Sequence, residues 1–193
     1  MWRQMIPALR MTLVLTVLTG LLYPGVVTAL CQAMFPNQAN GSLVMKDGRV
    51  IGSRLIGQNF SKPEYFQPRL SAAGNDGYDA TASGGSNLGP TNQKLVDRVK
   101  ASVEKFRKEN PDYQGSLPAD LMTASGSGLD PHLSPSAAEA QVARVARARG
   151  IAVVEIEKLV SEMTENRDLG FLGEPRVNVL RLNLALDERY PHK

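Results

Sequence analysis

Residues Met11–Met34 read MTLVLTVLTGLLYPGVVTALCQAM, 24 residues without a charged side chain. A helix rises about 1.5 Å per residue, so roughly 20 apolar residues cross the hydrocarbon core of a bilayer. The stretch therefore reads as a transmembrane helix. Its threonine hydroxyls can bond carbonyls one turn back, and Pro24-Gly25 predict a kink or the outer third of the span. The run exceeds the roughly 7–15 residues of a cleaved signal core, and no A-x-A site follows it closely. Bulky Leu30 before Cys31 also argues against lipoprotein processing.

Charge is distributed unevenly around this stretch. None occurs from Met11 to Met45, and every acidic residue lies beyond that gap. Arg3 and Arg10 precede the span closely, whereas the next cation is Lys46. Cytoplasmic flanks carry the excess of Lys and Arg. The expected layout is thus a cytoplasmic tail at 1–10, a membrane helix at 11–34 and an external domain at 35–193. Thr12, Thr16 and Gly20 fall four residues apart, a stripe of small groups along which a partner helix can pack closely.

The whole chain has 193 residues, with 22 Lys+Arg against 19 Asp+Glu, a net charge of +3. Its basic residues are dispersed, which argues against nucleic acid as a partner. One Cys cannot form an internal disulfide, and with two His it cannot complete a structural zinc site, so no metal site is expected. Seventeen Gly and twelve Pro beside 42% hydrophobic residues describe a loop-rich but folded chain.

Beyond the span, residues 35–42 form a polar, turn-rich stalk. Asp47-Gly48 between two apolar runs predicts a hairpin with strands near 42–46 and 49–56, since a tight turn needs positive φ. Residues 59–92 carry Pro63, Pro68, Gly74, Gly77, Gly84, Gly85, Gly89 and Pro90, which break any period and predict a long loop. Leu95, Val96, Val99, Val103 and Phe106 then share one face of a helix over 92–110, capped by Thr91 and stopped by Pro111. Ser134-Pro135 opens a second helix with Ala138, Val142, Val145 and Ala146 inward, ended by Gly150. A third helix at about 153–166 uses Ile156, Leu159, Val160 and Met163. Val177, Val179, Leu180, Leu182 and Leu184 predict a closing strand that passes into a short helical end. Two or three strands with three helices make a small mixed α/β domain following one transmembrane helix.

Few motifs point to chemistry. The chain has neither a Walker A pattern nor a G-x-S-x-G elbow, and it lacks the Asp-Lys-Thr-Gly phosphorylation sequence of cation-pumping ATPases. The Gly/Ser-rich run 82–90 is richer in turn residues than in phosphate-binding ones and reads as a structural loop or, alternatively, a solute-binding one. His132, with Asp130 and either Ser127 or Ser134, permits a membrane-anchored hydrolase on paper, but proximity in sequence says little about triad geometry. Arg144, Arg147 and Arg149 read as a solvated basic helix end, favoured by the helix dipole. Asp76 and Asp79 read as turn formers.

Longer motifs carry more information. They are Gly52-Ser-Arg-Leu-Ile-Gly-Gln58 leading into Phe60, Pro63-Glu-Tyr-Phe66, Arg69-Leu-Ser-Ala72, and Tyr78-Asp-Ala-Thr-Ala-Ser-Gly-Gly-Ser-Asn-Leu88. Next come Thr123-Ala-Ser-Gly-Ser-Gly-Leu-Asp130, then Pro135, Ala137-Ala138, Gln141 and Arg144-Val-Ala146. Gly173 to Pro175, Val177-Asn178-Val179 and Leu182-Asn-Leu-Ala-Leu186 complete the set. In this order, and covering nearly the whole chain, they resemble the C subunit of the Kdp potassium-transporting ATPase. One departure is Pro68-Arg69-Leu70, where the family pattern has Arg-Pro before Ser-Ala.

The resemblance implies a non-catalytic accessory subunit of a high-affinity, ATP-driven potassium pump, single-pass in the bacterial inner membrane with a periplasmic domain. Its implied partners are a channel-like potassium-translocating subunit, a P-type ATPase subunit and a very small membrane peptide. ATP and potassium ion enter at the level of the complex, with no cofactor of the chain's own. The resemblance also implies raised ATP affinity in the pump subunit, with Gln58 as the nucleotide-affinity candidate. Because the charge bias puts Gln58 outside, where nucleotide is scarce, the residues themselves favour an assembly or gating role.

Overall fold

A computed structural model describes residues 2–191. The chain divides into two compact units, residues 1–51 and 52–193.

The first unit is dominated by the apolar stretch. It is helical from Trp2 to Met34, with a mean hydropathy of 2.0 in its most apolar window. The helix therefore begins well before the uncharged run and includes both flanking arginines. It consists of α1 (Trp2–Val17), a π-helical turn (Leu18–Leu22) and α2 (Tyr23–Met34). Proline has no N–H and its ring crowds the carbonyl four residues back. A wider turn, closed by the Tyr23 N–H donating to Leu18 O, immediately precedes Pro24 and accommodates that ring without breaking the helix. No residue of α1 or α2 is buried. A one-turn helix, α3 (Pro36–Ala39), occupies the stalk, and the hairpin β1 (Leu43–Lys46) and β2 (Arg49–Ser53) follows. Asp47 and Gly48 both have positive φ, at 50° and 74°, as the tight turn of the hairpin requires.

The second unit is a layer of helices on a small antiparallel sheet. Its elements are α4 (Gln93–Glu109), α5 (Ala119–Met122), β3 (His132–Leu133), α6 (Pro135–Arg149), α7 (Val153–Met163), β4 (Thr164–Glu165), β5 (Arg176–Asn178) and α8 (Val179–Arg189). The strand order is β3-β5-β4, with Leu133 and Thr164 both opposite Val177. Two of these strands, β3 and β4, have two residues each and leave no readable alternation, so the strand count exceeds the expected two or three.

Local chemistry fixes the helix ends. Ser134 Oγ accepts from the Ala137 N–H with Pro135 at the first turn, and α6 stops at Gly150 in the left-handed region. The cap of α4 is Asn92, whose side chain accepts from the Lys94 N–H, rather than the expected Thr91. The closing segment is mostly helical: β5 ends at Asn178, whose side chain accepts from the Arg181 N–H and starts α8. Val179, Leu182 and Leu186 then face inward at helical spacing, which outweighs the short alternation of Leu180, Leu182 and Leu184. The core joins Val142 and Val145 of α6, Ile156 and Leu159 of α7, and Leu182 and Leu186 of α8 to Val177 and Phe66. Phe66 belongs to the long irregular segment expected at 59–92, which is held by side chains from the helices.

Candidate functional site

The Phe66 loop shows how. Its aromatic ring is 0% exposed, and burying it carries two peptide groups inside. A buried peptide must keep its hydrogen bonds. Asn183 on α8 accepts from the Phe66 N–H and donates to the Phe66 carbonyl, both at 2.9 Å. Gln141 on α6 does the same for Gln67, at 2.8 and 3.1 Å. Two side-chain amides thus imitate a strand neighbour. Their sequence signal is a polar residue on a helix's inward face, legible as an exception to the apolar stripe.

The basic end of α6 belongs to the same construction and is not a solvated face. Arg144 is buried and donates to Pro63 O, Tyr65 O, Asn110 Oδ1 and Gln141 Oε1 at 2.5–3.0 Å. All four acceptors are neutral, and burial pushes the guanidinium down to about 10. Arg149, its side chain 2% exposed, donates to Glu64 O, Tyr190 O and Asp187, and stacks on Tyr65. Only Arg147 is exposed, and it pairs with Asp112. Carbonyls brought from loops distant in sequence satisfy these charges, which no helix-local pattern reveals.

A second cluster gathers the motifs around Arg69. Asp130 accepts from Arg69 Nη1 at 2.8 Å and from the His132 N–H at 3.0 Å, with His132 Nδ1 at 3.4 Å. Burial raises the Asp130 carboxyl, but the His132 bonds and the Arg69 charge outweigh it and hold the group below its ordinary value. Tyr78 donates from its hydroxyl to Arg69 O at 2.5 Å; burial, then the Asp130 charge, push its phenol well upward, so it stays a donor. Ser71 Oγ donates to Gly128 O at 2.6 Å and accepts from the Tyr78 N–H. Gly128 has φ +68°, and an added Cβ would lie 2.6 Å from Gly84 O. The Gly/Ser-rich run is thereby fixed as a structural loop: Gly84 N–H and Ser83 Oγ both donate to Ser127 O, and Ser86 accepts from Arg98. Asp79 is a turn former, accepting from Thr81.

The two serines drawn beside His132 have other partners. His132 Nδ1 faces Asp130, while Ser134 Oγ caps α6 and bonds Asp120, and Ser127 Oγ accepts from the Leu129 N–H. Among the described residues no three His, Cys, Asp or Glu side chains are grouped to hold a metal. A cavity of about 370 Å³ lies beside the cluster, lined by Phe60, Arg69, Tyr78, Lys105 and Gln141 among others.

Gln58 lies outside that cavity. It is half-buried, and its amide crosses Gly52: a Cβ there would sit 2.0 Å from Gln58 Nε2 and 3.0 Å from Leu180 Cδ2. Thr12, Thr16 and Gly20 remain neighbours on the exposed helix. A Cβ on Gly20 would contact Thr16 Cγ2 at 3.9 Å, and Thr12 Oγ1 donates back to Ala8 O. The helical stripe and the Gln58 region lie in different units.

One long apolar helix and a small helix-and-sheet domain, many of whose buried polar side chains bind its own backbone, define the class of fold. Residues 5–188 match the family described as K+-transporting ATPase, c chain. A potassium-transporting ATPase KdpC subunit from Rhodospirillum rubrum is 58% identical over 191 residues, covering 99% of this chain and 98% of that one. The same-named proteins of Myxococcus xanthus and Sorangium cellulosum are 58% and 59% identical, covering 98% and 94% of this chain and 90% and 95% of theirs. The chain belongs to this KdpC family.

Proposed function

We propose that the chain is the accessory subunit of an ATP-driven potassium pump, without catalytic residues of its own, and that it stabilises the assembled complex. The observation that carries this reading is the internal use of the polar clusters around Phe66 and Arg69: Arg144, Arg149, Gln141, Asn183 and the Arg69–Asp130 pair brace loops of the chain itself. Such a domain offers partners a rigid surface. On this reading the helix at residues 2–34 is a single-pass anchor in the bacterial inner membrane, with Arg3 and Arg10 on the cytoplasmic side and residues 35–193 in the periplasm. Thr12, Thr16 and Gly20 face a partner helix. The partners are a potassium-translocating subunit, a P-type ATPase subunit and a small membrane peptide, and potassium and ATP act within the complex. Gln58 then affects nucleotide affinity only through assembly, because its amide packs against its own domain.

Deleting the chain is expected to abolish potassium uptake at low external potassium and to prevent isolation of an intact complex. Intact uptake and assembly without it refute the reading. Periplasm-active and cytoplasm-active reporters fused after Gly41 test the orientation separately, and activity of the cytoplasmic reporter reverses it.

A further inference from the structure

Residues 168–173 (DLGFLG) form a turn that presents its apolar side chains to solvent. Leu169 is 82% exposed, Phe171 70% and Leu172 49%. The turn is ordered: the Asp168 N–H donates to Leu172 O and the Leu172 N–H to Asp168 O, both at 2.9 Å, and the Gly170 N–H donates to Arg167 O. Leu169 is held at φ +54°, a region that a β-carbon disfavours. A strained leucine beside an exposed phenylalanine brings nothing to the domain's own core. A rigid apolar tip is the build of an interface anchor, whose ordering is complete before binding.

The surroundings of the tip select its occupant. Arg167 pairs with Glu174, Arg176 with Asp168 and Glu165, and Arg181 with Glu165. Three arginines against three carboxylates leave the rim neutral, so anionic lipid headgroups gain no unpaired cation. A neutral polar rim around an apolar centre is the anatomy of a protein–protein contact. We propose that Leu169–Leu172 inserts into an uncharged apolar cleft on another protein subunit of the potassium-transporting ATPase. The proposal rests on the accessory-subunit reading above.

The test titrates the purified full chain, in detergent and again in bilayer discs, onto the remaining subunits isolated from cells lacking it. Leu169→Gly with Phe171→Ser is expected to weaken binding fivefold or more. Its thermal unfolding midpoint should be unchanged or higher, because glycine relieves the positive φ. Phe171→Ala alone should weaken binding in the same direction, without touching the backbone. Val154→Ser, which alters a side chain 68% exposed on α7, should leave binding unchanged. A loss under fivefold for the double variant, an equal loss with Val154→Ser, or a loss confined to bilayer discs overturns the proposal, the last in favour of lipid. If the unaltered chain fails to bind the other subunits, the accessory-subunit reading falls instead.

Discussion

Phe66 and Phe171 both sit in irregular segments, yet one is 0% exposed and the other 70%. The difference lies in what each loop's backbone can bond. The Phe66 loop enters the interior because Asn183 and Gln141 supply its peptide groups with partners and Arg144 binds the carbonyls at Pro63 and Tyr65. The Phe171 turn bonds itself across Asp168 and Leu172 and needs no helix to complete it. A loop that closes its own hydrogen bonds is free to leave its apolar side chains outside. One that cannot must be received by side chains from elsewhere.

The widest gap between the two loops should appear on truncation. Phe66→Ala is expected to cost about 3–5 kcal/mol through lost burial and the cavity left behind. Urea unfolding of the full chain checks this, and a cost under about 1 kcal/mol would mean that the core does not depend on this ring. Arg144→Met comes next, at about 3 kcal/mol, because it strands buried oxygens that its methylenes cannot satisfy. Arg144→Lys should recover part of that loss, since an ammonium reaches fewer acceptors than the guanidinium fork.

A smaller effect concerns pH. The Asp130 carboxyl is held below its ordinary 3.8, so its contribution is present above that pH and is lost as pH falls through the lower folded value. Asp130→Asn should therefore be less stable than the unaltered chain at neutral pH, with the difference shrinking on acidification below about 4. A difference constant from pH 7 to 2 contradicts the Arg69–Asp130–His132 geometry. Smallest of all, Phe171→Ala should change folding stability by no more than about 0.5 kcal/mol. A larger loss would erase the contrast between the loops.

The legible parts of the molecule are those governed by neighbours in sequence. The uncharged run, the Asp47-Gly48 turn, the Ser134 cap and the apolar stripes of α6 and α7 each depend on spacing within a few residues, and all are present. The two-residue strands β3 and β4 escaped because a strand of that length has no period. The ordered resemblance of motifs over most of the chain identified the family, since each motif fixes a residue type to a place.

By itself, then, the sequence determined a long apolar helix, a loop-rich α/β domain and the family to which they belong, because hydropathy, caps and motif order are local properties of a chain. Only the tertiary structure decided that Arg144 and Arg149 are interior clamps, that Asn183 and Gln141 receive a loop, that Gln58 packs over Gly52, and that Leu169 and Phe171 stand outside. Those outcomes depend on which carbonyl or which void arrives from a distant segment. A buried charge is tolerated only where such acceptors converge, and their convergence is a property of the fold.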